Sequence, residues 1–388
     1  MVEDLKWSAY DFSAIPYDKL VRVGQRNMLY RDLFTVSWLL GRFCNYRCSY
    51  CWPYARSDRK DHRPTELCLL TIDEIKRQAR ENGFNSFHFS LSGGEPTFHP
   101  GYLDILEHLA LDVENTNYTS VHMTTNMSRP LKWHETYVKH AAKFHRASIT
   151  ASLHTEHLDT HEKMQEFADK LIFCQEHDVQ VTINQVMVPE WFERDWDNAL
   201  FFHEQGINVT LKPQSDPTAS RVVDGYTPEM LKRLHNGMPQ LNYTAQKASK
   251  AKLVTRPEPT FKKTSDPIWW PEFKHIPEAY QVEFRDGAGE YYWMDQAERF
   301  NAFNFNKFKG WECSSGYRSI IIREPDGSIK RSYSCHDAPL GNIETGFKLF
   351  DKPVACTTDS CVSSADSKIP KRAPGTKMPL WPGDETYK

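Results

Sequence analysis

Strand-forming stretches recur through the first half of the chain, and all but the first step between them are about thirty residues, the length of one βα unit. Phe34–Leu40 (Phe-Thr-Val-Ser-Trp-Leu-Leu), Ser86–Leu91, Ser120–Thr125, Ala147–Leu153, Val179–Val186 and Asn208–Leu211 are rich in β-branched and aromatic residues. Helical stretches separate them. Thr71 and Glu74 form a capping box that predicts a helix stopping near Gly83, and further helices are expected over Leu131–Lys143 and about Asp159–Glu176. Another runs to Gln205, with Phe192, Trp196, Ala199 and His203 on one stripe and Gly206 as its stop. Six strands separated by helices imply a parallel sheet, because parallel neighbours need a crossover. The expected fold class is α/β, a partial (β/α)6 barrel where a closed barrel would need eight units.

The first strand ends at Gly41 and delivers Cys44-Asn-Tyr-Arg-Cys48-Ser-Tyr-Cys51. Loops at strand C-termini are where α/β folds place chemistry. Three thiolates this close can each hold one corner of an iron-sulfur cube and leave one iron open to an exogenous chelate. The alternatives are a zinc site and a loop of ordinary buried cysteines. Zinc takes a closed set of four ligands, and the nearest extra candidate is His62.

Ser92-Gly93-Gly94-Glu95-Pro96-Thr97 follows the second strand directly. Two glycines there let the backbone approach a ligand, and Glu95 can accept from an ammonium group. Later strand ends carry Thr125 and Asn126, Ser152 and His154, Asn184 and Gln185, and Lys212. Each alone serves equally well as a helix cap or a satisfied rim residue. His154 and Lys212 both titrate, which makes them candidates for substrate contact or proton transfer.

Taken together, the three-cysteine loop and the Gly-Gly-Glu-Pro turn one βα step later resemble the radical S-adenosylmethionine (SAM) superfamily. The resemblance implies the same partial barrel, with a 4Fe-4S cluster on Cys44, Cys48 and Cys51 whose open iron is chelated by SAM. It implies reductive cleavage of SAM to a 5'-deoxyadenosyl radical that abstracts a substrate hydrogen atom. By the same resemblance Tyr50 lies against the adenine, and Gly93, Gly94 and Glu95 hold the amino group. Asn126, Ser152 and Gln185 complete the cofactor site, and Lys163 takes the SAM carboxylate. An electron donor of the flavodoxin, ferredoxin or reductase kind is implied as a partner.

Beyond residue 310 the pattern changes. Cys313 precedes a β run over Tyr317–Arg323, an Asp326-Gly327 turn, a second β run over Ser328–Ser334 and then Cys335. Asp-Gly between two such runs is a strong hairpin signal. Cys356 and Cys361 follow. This tail resembles the auxiliary-cluster extensions called SPASM and twitch domains, and four cysteines suit the shorter twitch form with a second 4Fe-4S cluster. A structural zinc ribbon is the alternative, although paired Cys-x2-Cys knuckles are missing. Cys68 and Cys174 lie outside both sets and read as buried thiols.

The expected division is an N-terminal extension over 1–33, a barrel over 34–225, a bridge over 226–310 and the tail domain over 311–388. In the bridge, Thr227 and Pro228 open a helix. A basic run follows (Lys247, Lys250, Lys252, Arg256, Lys262, Lys263), either a solvated linker or a lid over the barrel mouth. A net charge of -3 over 388 residues leaves no global basic field for nucleic acid. No signal peptide and no uninterrupted apolar run long enough for a membrane span is present, so a cytoplasmic location is expected. Nine cysteines in a reducing compartment point to metal ligands and free thiols. Peptide-modifying relatives often carry a peptide-binding domain at the N-terminus, and only about thirty residues precede the first strand here. The substrate is therefore expected to be a small molecule, with a ribosomal peptide presented by a partner protein as the alternative. A non-catalytic iron-sulfur or zinc scaffold is the rival from another class.

Overall fold

Six parallel strands form the centre of a ten-stranded sheet in the computed structural model, which describes residues 16–24, 32–52, 54–217, 222–238, 240–241, 253–254, 262–264, 282–294 and 305–376. After β1 (Leu20–Gly24), they are β2 (Leu33–Leu39), β3 (Ser86–Ser92), β4 (Tyr118–Thr125), β5 (Arg146–Leu153), β6 (Val179–Met187) and β7 (Asn208–Pro213). Each pairs with the next in sequence order, from Leu33 opposite Ser86 to Met187 opposite Pro213. The connecting helices are α1 (Thr65–Glu81), α2 (Tyr102–Ala110), α3 (Leu131–Ala141), α4 (His161–Glu176) and α5 (Phe192–Glu204). The expected α/β partial barrel is what forms, and among the described residues the sheet does not close on itself.

Alternate residues of every strand bury against these helices. Phe34, Val36 and Trp38 of β2 join Ile72, Ile75 and Ala79 of α1 in one core with Phe87, Phe89, Ile149, Val181 and Phe202. Each such side chain contributes about 1.5 to 3 kcal/mol through burial.

Helix α1 starts at Thr65, not at Thr71. Pro64 precedes it in an extended conformation, and Thr71 lies inside the helix, its hydroxyl donating to the Leu67 carbonyl at 2.7 Å. A threonine that bonds back to the preceding turn has no free oxygen lone pair aimed at a cap, so the Thr71/Glu74 pattern is a coincidence of spacing. Thr160 caps α4 through the Lys163 N–H. In the bridge, Thr227 and Pro228 open α6 (Pro228–Asn236) as expected.

A second sheet gathers segments far apart in the chain. It contains β1, three bridge strands, β10 (Lys262–Thr264), β11 (Val282–Asp286) and β12 (Tyr291–Met294), and three tail strands, β13 (Glu312–Cys313), β18 (Val354–Ala355) and β19 (Lys371–Arg372). A two-stranded pair, β8 (Gln240–Leu241) with β9 (Leu253–Val254), stands apart. β1 of the N-terminal extension thus pairs with β11 and with β19. Lys247, Lys250, Lys252 and Arg256 of the basic run lie outside the described residues.

The Asp-Gly hairpin is present as β14 (Ser319–Ile322) and β15 (Ser328–Lys330). Its first strand lies parallel to β2, with Ser319 opposite Thr35 and Ile322 opposite Trp38, so the tail extends the barrel sheet. β16 (Gly341–Asn342) and β17 (Gly346–Phe347) continue to the edge. Arg63, just before α1, fastens this seam by donating to Glu324 at 3.1 Å, to the Pro325 carbonyl at 2.5 Å and to Glu344. Among the described residues no helix is long and apolar enough to cross a membrane.

Candidate active site

The cysteine loop leaves β2 and is bound to the turn after β3 by backbone hydrogen bonds. Gly94 N donates to the Gly41 carbonyl at 2.9 Å, and Glu95 N donates to that of Phe43 at 2.6 Å. A Cβ at Gly93 would lie 2.3 Å from the Gly41 oxygen, and one at Gly94 would lie 2.3 Å from the oxygens of Arg42 and Phe43. The close approach that these glycines permit is therefore to the root of the cysteine loop.

Glu95 is 1% exposed. Its Oε1 accepts from Thr97 Oγ1 at 2.6 Å, Thr97 N at 3.2 Å and Thr125 Oγ1 at 2.7 Å, while Oε2 accepts from Asn126 N at 2.6 Å. Burial pushes its carboxyl upward and these donors oppose the shift. Glu95 is thus a strut between the ends of β3 and β4, and Oε2, with a single donor, is the oxygen that retains capacity for an amine. Asn126 continues the strut into the loop: its Nδ2 donates to Asn45 Oδ1 at 2.9 Å and lies 3.9 Å from Cys44 Sγ.

The loop after β5 clamps the other side. Tyr50 Oη and His154 Nδ1 are 2.8 Å apart and their rings stack. Glu156 accepts from the Ser49 backbone at 2.8 Å and from the Ser49 hydroxyl, and His157 Nε2 accepts from Arg47 N at 3.2 Å while its ring stacks on Tyr46 at 4.1 Å. Burial, with His157 alongside, lowers the His154 ring to about 4, so it is neutral near pH 7. The expectation that His154 serves as a proton-transfer group open to the mouth gives way to a neutral anchor for Tyr50.

The thiols of Cys44, Cys48 and Cys51 lie near enough to oppose one another's ionisation. Burial, then Glu156, Cys51 and Cys44, push Cys48 up to about 12. A metal relieves this, because it binds thiolates and displaces their protons, and the donor set fits an iron-sulfur cluster.

The face of the sheet turned away from the helices is polar. Ser37, Ser90, His122 and Ser148 lie side by side in register across β2 to β5 and are half-buried. His122 Nδ1 meets Ser148 Oγ at 2.9 Å, and His88 Nδ1 meets Ser120 Oγ at 2.8 Å. Neither histidine is among the residues singled out from the sequence. Strands of a parallel sheet buried on both faces read as continuous apolar runs, whereas Ser-Phe-His-Phe-Ser-Leu-Ser alternates, and that alternation is the signal of a wet interior.

Residues 38–203 match the family model described as the Radical SAM superfamily. The chain carries a radical SAM domain. Its structure is similar to that of native anSMEcpe with bound AdoMet (TM-score 0.48, 16% identity, covering 81% of this chain and 79% of that one). It is also similar to Streptococcus suis SuiB (TM-score 0.42, 15% identity, 80% and 64%) and to SuiB bound to precursor peptide SuiA (TM-score 0.43, 17% identity, 80% and 63%).

Within the radical SAM domain, Ser152 is half-buried on the polar face opposite Asn184, and Lys212 lies beyond them opposite Val186. Gln185 points the other way. It is fully buried against α5, with Nε2 donating to the Asp195 carbonyl at 2.7 Å, because neighbouring strand residues face opposite sides. Asn184 therefore occupies the inner position expected of Gln185. Lys163 lies in the first turn of α4 with its side chain 51% exposed and paired with Asp159 at 2.5 Å.

The tail cysteines form a second site. Cys313, Cys335, Cys356 and Cys361 are all buried, and the ionisation of Cys361 is opposed by burial and by Cys313 and Cys335. Cys356 N donates to the Trp311 carbonyl at 2.7 Å, and Cys361 N donates to that of Asn306 at 2.8 Å. Four buried thiols that oppose one another's ionisation suit a fully protein-ligated 4Fe-4S cluster, while among the described residues no three of them lie within 4.8 Å of one another as a tetrahedral zinc site needs. The Tyr333 side chain, two residues before Cys335, lies beside Ser37 on the inner face of β2, which eases its ionisation against burial. Cys68 and Cys174 are buried among apolar neighbours, as expected.

Proposed function

We propose that this radical SAM protein cleaves SAM reductively at the Cys44-Cys48-Cys51 site and abstracts a hydrogen atom from a substrate held on the polar inner face. The observation that carries this reading is convergence. The cysteine loop, the Gly-Gly-Glu-Pro turn, Asn126 and the Ser152–Asn184 pair meet at the C-terminal ends of the strands, beside that face. When bound, the cluster supplies the electron that breaks the sulfonium bond, and the resulting 5'-deoxyadenosyl radical takes the hydrogen atom. Tyr50, held by His154, is placed to lie against the adenine, and Glu95 Oε2 to accept from the amino group.

The tail site is read as an auxiliary 4Fe-4S cluster that receives an electron from the substrate radical, which makes the outcome oxidative, such as dehydrogenation or cross-linking. The Tyr333–Ser37 contact supports this by joining the tail loop to the inner face. The substrate is taken to be a small molecule. The external electron donor is a flavodoxin, ferredoxin or reductase.

The test is anaerobic turnover of SAM under strong reductant. The reconstituted protein is expected to form 5'-deoxyadenosine, and the Cys44/Cys48/Cys51 triple alanine variant to form none while keeping about half the iron and sulfide. Continued SAM cleavage by that variant overturns the assignment. Hydrogen abstraction from a peptide supplied with its carrier, and from no small molecule, would move the substrate class to peptides.

A further inference from the structure

Lys371 is 1% exposed, yet it carries an ammonium group beside the tail cysteines. In the antiparallel pair of β13 and β19 it stands directly opposite Cys313. Directly opposed residues of such a pair have Cβ atoms about 4.5 to 5.5 Å apart and share a face. Its Nζ donates to the carbonyls of Asp366 at 2.6 Å and Ile369 at 2.8 Å, and it lies over the Phe308 ring at 5.1 Å. These contacts fix the ammonium and leave it a third proton.

A buried ammonium costs several kcal/mol unless a negative charge stands near it. Asp366 is the nearby carboxylate, but it is already occupied, accepting from Ser334 N at 2.7 Å, Ser334 Oγ at 2.6 Å and Tyr333 N at 3.3 Å. The charges that bear most on Lys371 are Cys361 and Cys313, ahead of Asp366, with Cys356 after it. The lysine is placed for the thiolates.

We infer that Lys371 is the charge-compensating residue of the tail site and that it sets the reduction potential of the cluster bound there. The inference rests on the auxiliary-cluster reading proposed above. Four thiolates around a 4Fe-4S core leave a net negative charge, and taking up one electron adds another. A fixed ammonium buried on the strand beside Cys313 favours the reduced form through space, so it raises the potential, consistent with a cluster that accepts an electron from a substrate radical.

The experiment uses the full-length chain with Cys44, Cys48 and Cys51 replaced by alanine, so that one cluster remains, and follows its one-electron reduction by EPR in a dye-mediated titration. Lys371→Met is expected to lower the equilibrium constant for reduction by at least tenfold, about 59 mV for a one-electron couple. Lys371→Arg, which keeps the charge, is expected to stay within threefold of the parent. Loss of the cluster in the Met variant with retention in the Arg variant also supports charge compensation. Equal potentials in parent and Met variant, or loss of the cluster in both variants, overturn the inference and leave Lys371 a packing residue. The auxiliary-cluster reading fails separately: zinc in place of iron in the parent rejects the cluster, whatever Lys371 does.

Discussion

Cys44, Cys48 and Cys51 sit half-buried in one short loop, whereas Cys313, Cys335, Cys356 and Cys361 come from distant places in the chain and are buried. The charges beside them differ too. Beyond burial, Glu95 and Glu156 raise the barrel thiols while Arg56 lowers Cys44 and Cys51, and at the tail Asp366 opposes the buried ammonium of Lys371. A cluster near carboxylates is harder to reduce than one beside an ammonium. On the proposed reading, the feature that distinguishes a tail site that receives an electron is the fully buried Lys371. Construction differs in the same sense: three close ligands leave a corner for a chelate, and four buried ligands leave none.

The largest blow to one site alone is Gly94→Ala. Its new Cβ meets the backbone oxygens of Arg42 and Phe43 at 2.3 Å, and neither can swing aside as a side-chain end would. The cysteine loop must shift. The variant is expected to lose barrel-site iron and all SAM cleavage while the tail iron stays, as read by iron analysis and EPR. Equal loss of iron from both sites would mean that the two are one folding unit and would end the comparison.

Glu95→Gln sharpens the role of the strut. The glutamine amide brings its own donors to a pocket where Thr97, Thr125 and Asn126 already donate, so a conflict between donors follows. A loss of about 1 to 3 kcal/mol is expected in denaturant unfolding without SAM. Unchanged stability with weakened SAM binding would instead make the amine contact the main work of Glu95.

His154 gives the comparison a pH signature. Its usual value of 6.5 is lowered to about 4 in the folded protein, so the unfolded chain binds more protons between those values. Stability is undiminished above 6.5 and falls as the pH drops toward 4. His99 and His134 are lowered to about 4 as well and share the effect. His154→Gln should reduce the difference in unfolding free energy between pH 7 and pH 5 by about 2 kcal/mol. The same difference in variant and parent would show that the ring is not buried neutral beside Tyr50.

How much of this could be read beforehand follows from the range of the interactions. The barrel site was legible because its ligands and the Gly-Gly-Glu-Pro turn are local patterns, and strand positions agreed with the structure within a few residues. The phase within a strand was harder: Asn184 and Gln185 differ by one step, and only the helix on Gln185 says which of them faces inward. Pairing across the whole chain left no local trace. Nothing near Ser319 announces that it lies beside Thr35, and nothing near Lys371 announces Cys313, because those contacts are decided by tertiary packing. The wet interior was legible in the alternation of β3, β4 and β5 and was passed over because helices on one face were enough to explain a parallel sheet.

The smallest predicted effect concerns Lys163, expected from the family resemblance to hold the SAM carboxylate. It is half-exposed on α4, and its partner is Asp159, four residues earlier in the loop just before that helix. Pairs of this kind contribute about 0.3 to 0.5 kcal/mol and are screened by salt. Lys163→Ala should therefore leave the SAM dissociation constant within about twofold and cost a few tenths of a kcal/mol at low ionic strength, a difference that vanishes in high salt. A carboxylate contact in the active site would behave otherwise: its loss removes a charge-assisted hydrogen bond of about 1.5 to 3 kcal/mol, and affinity falls tenfold or more. Isothermal titration of SAM into parent and variant separates the two, and a tenfold loss would return Lys163 to the cofactor site.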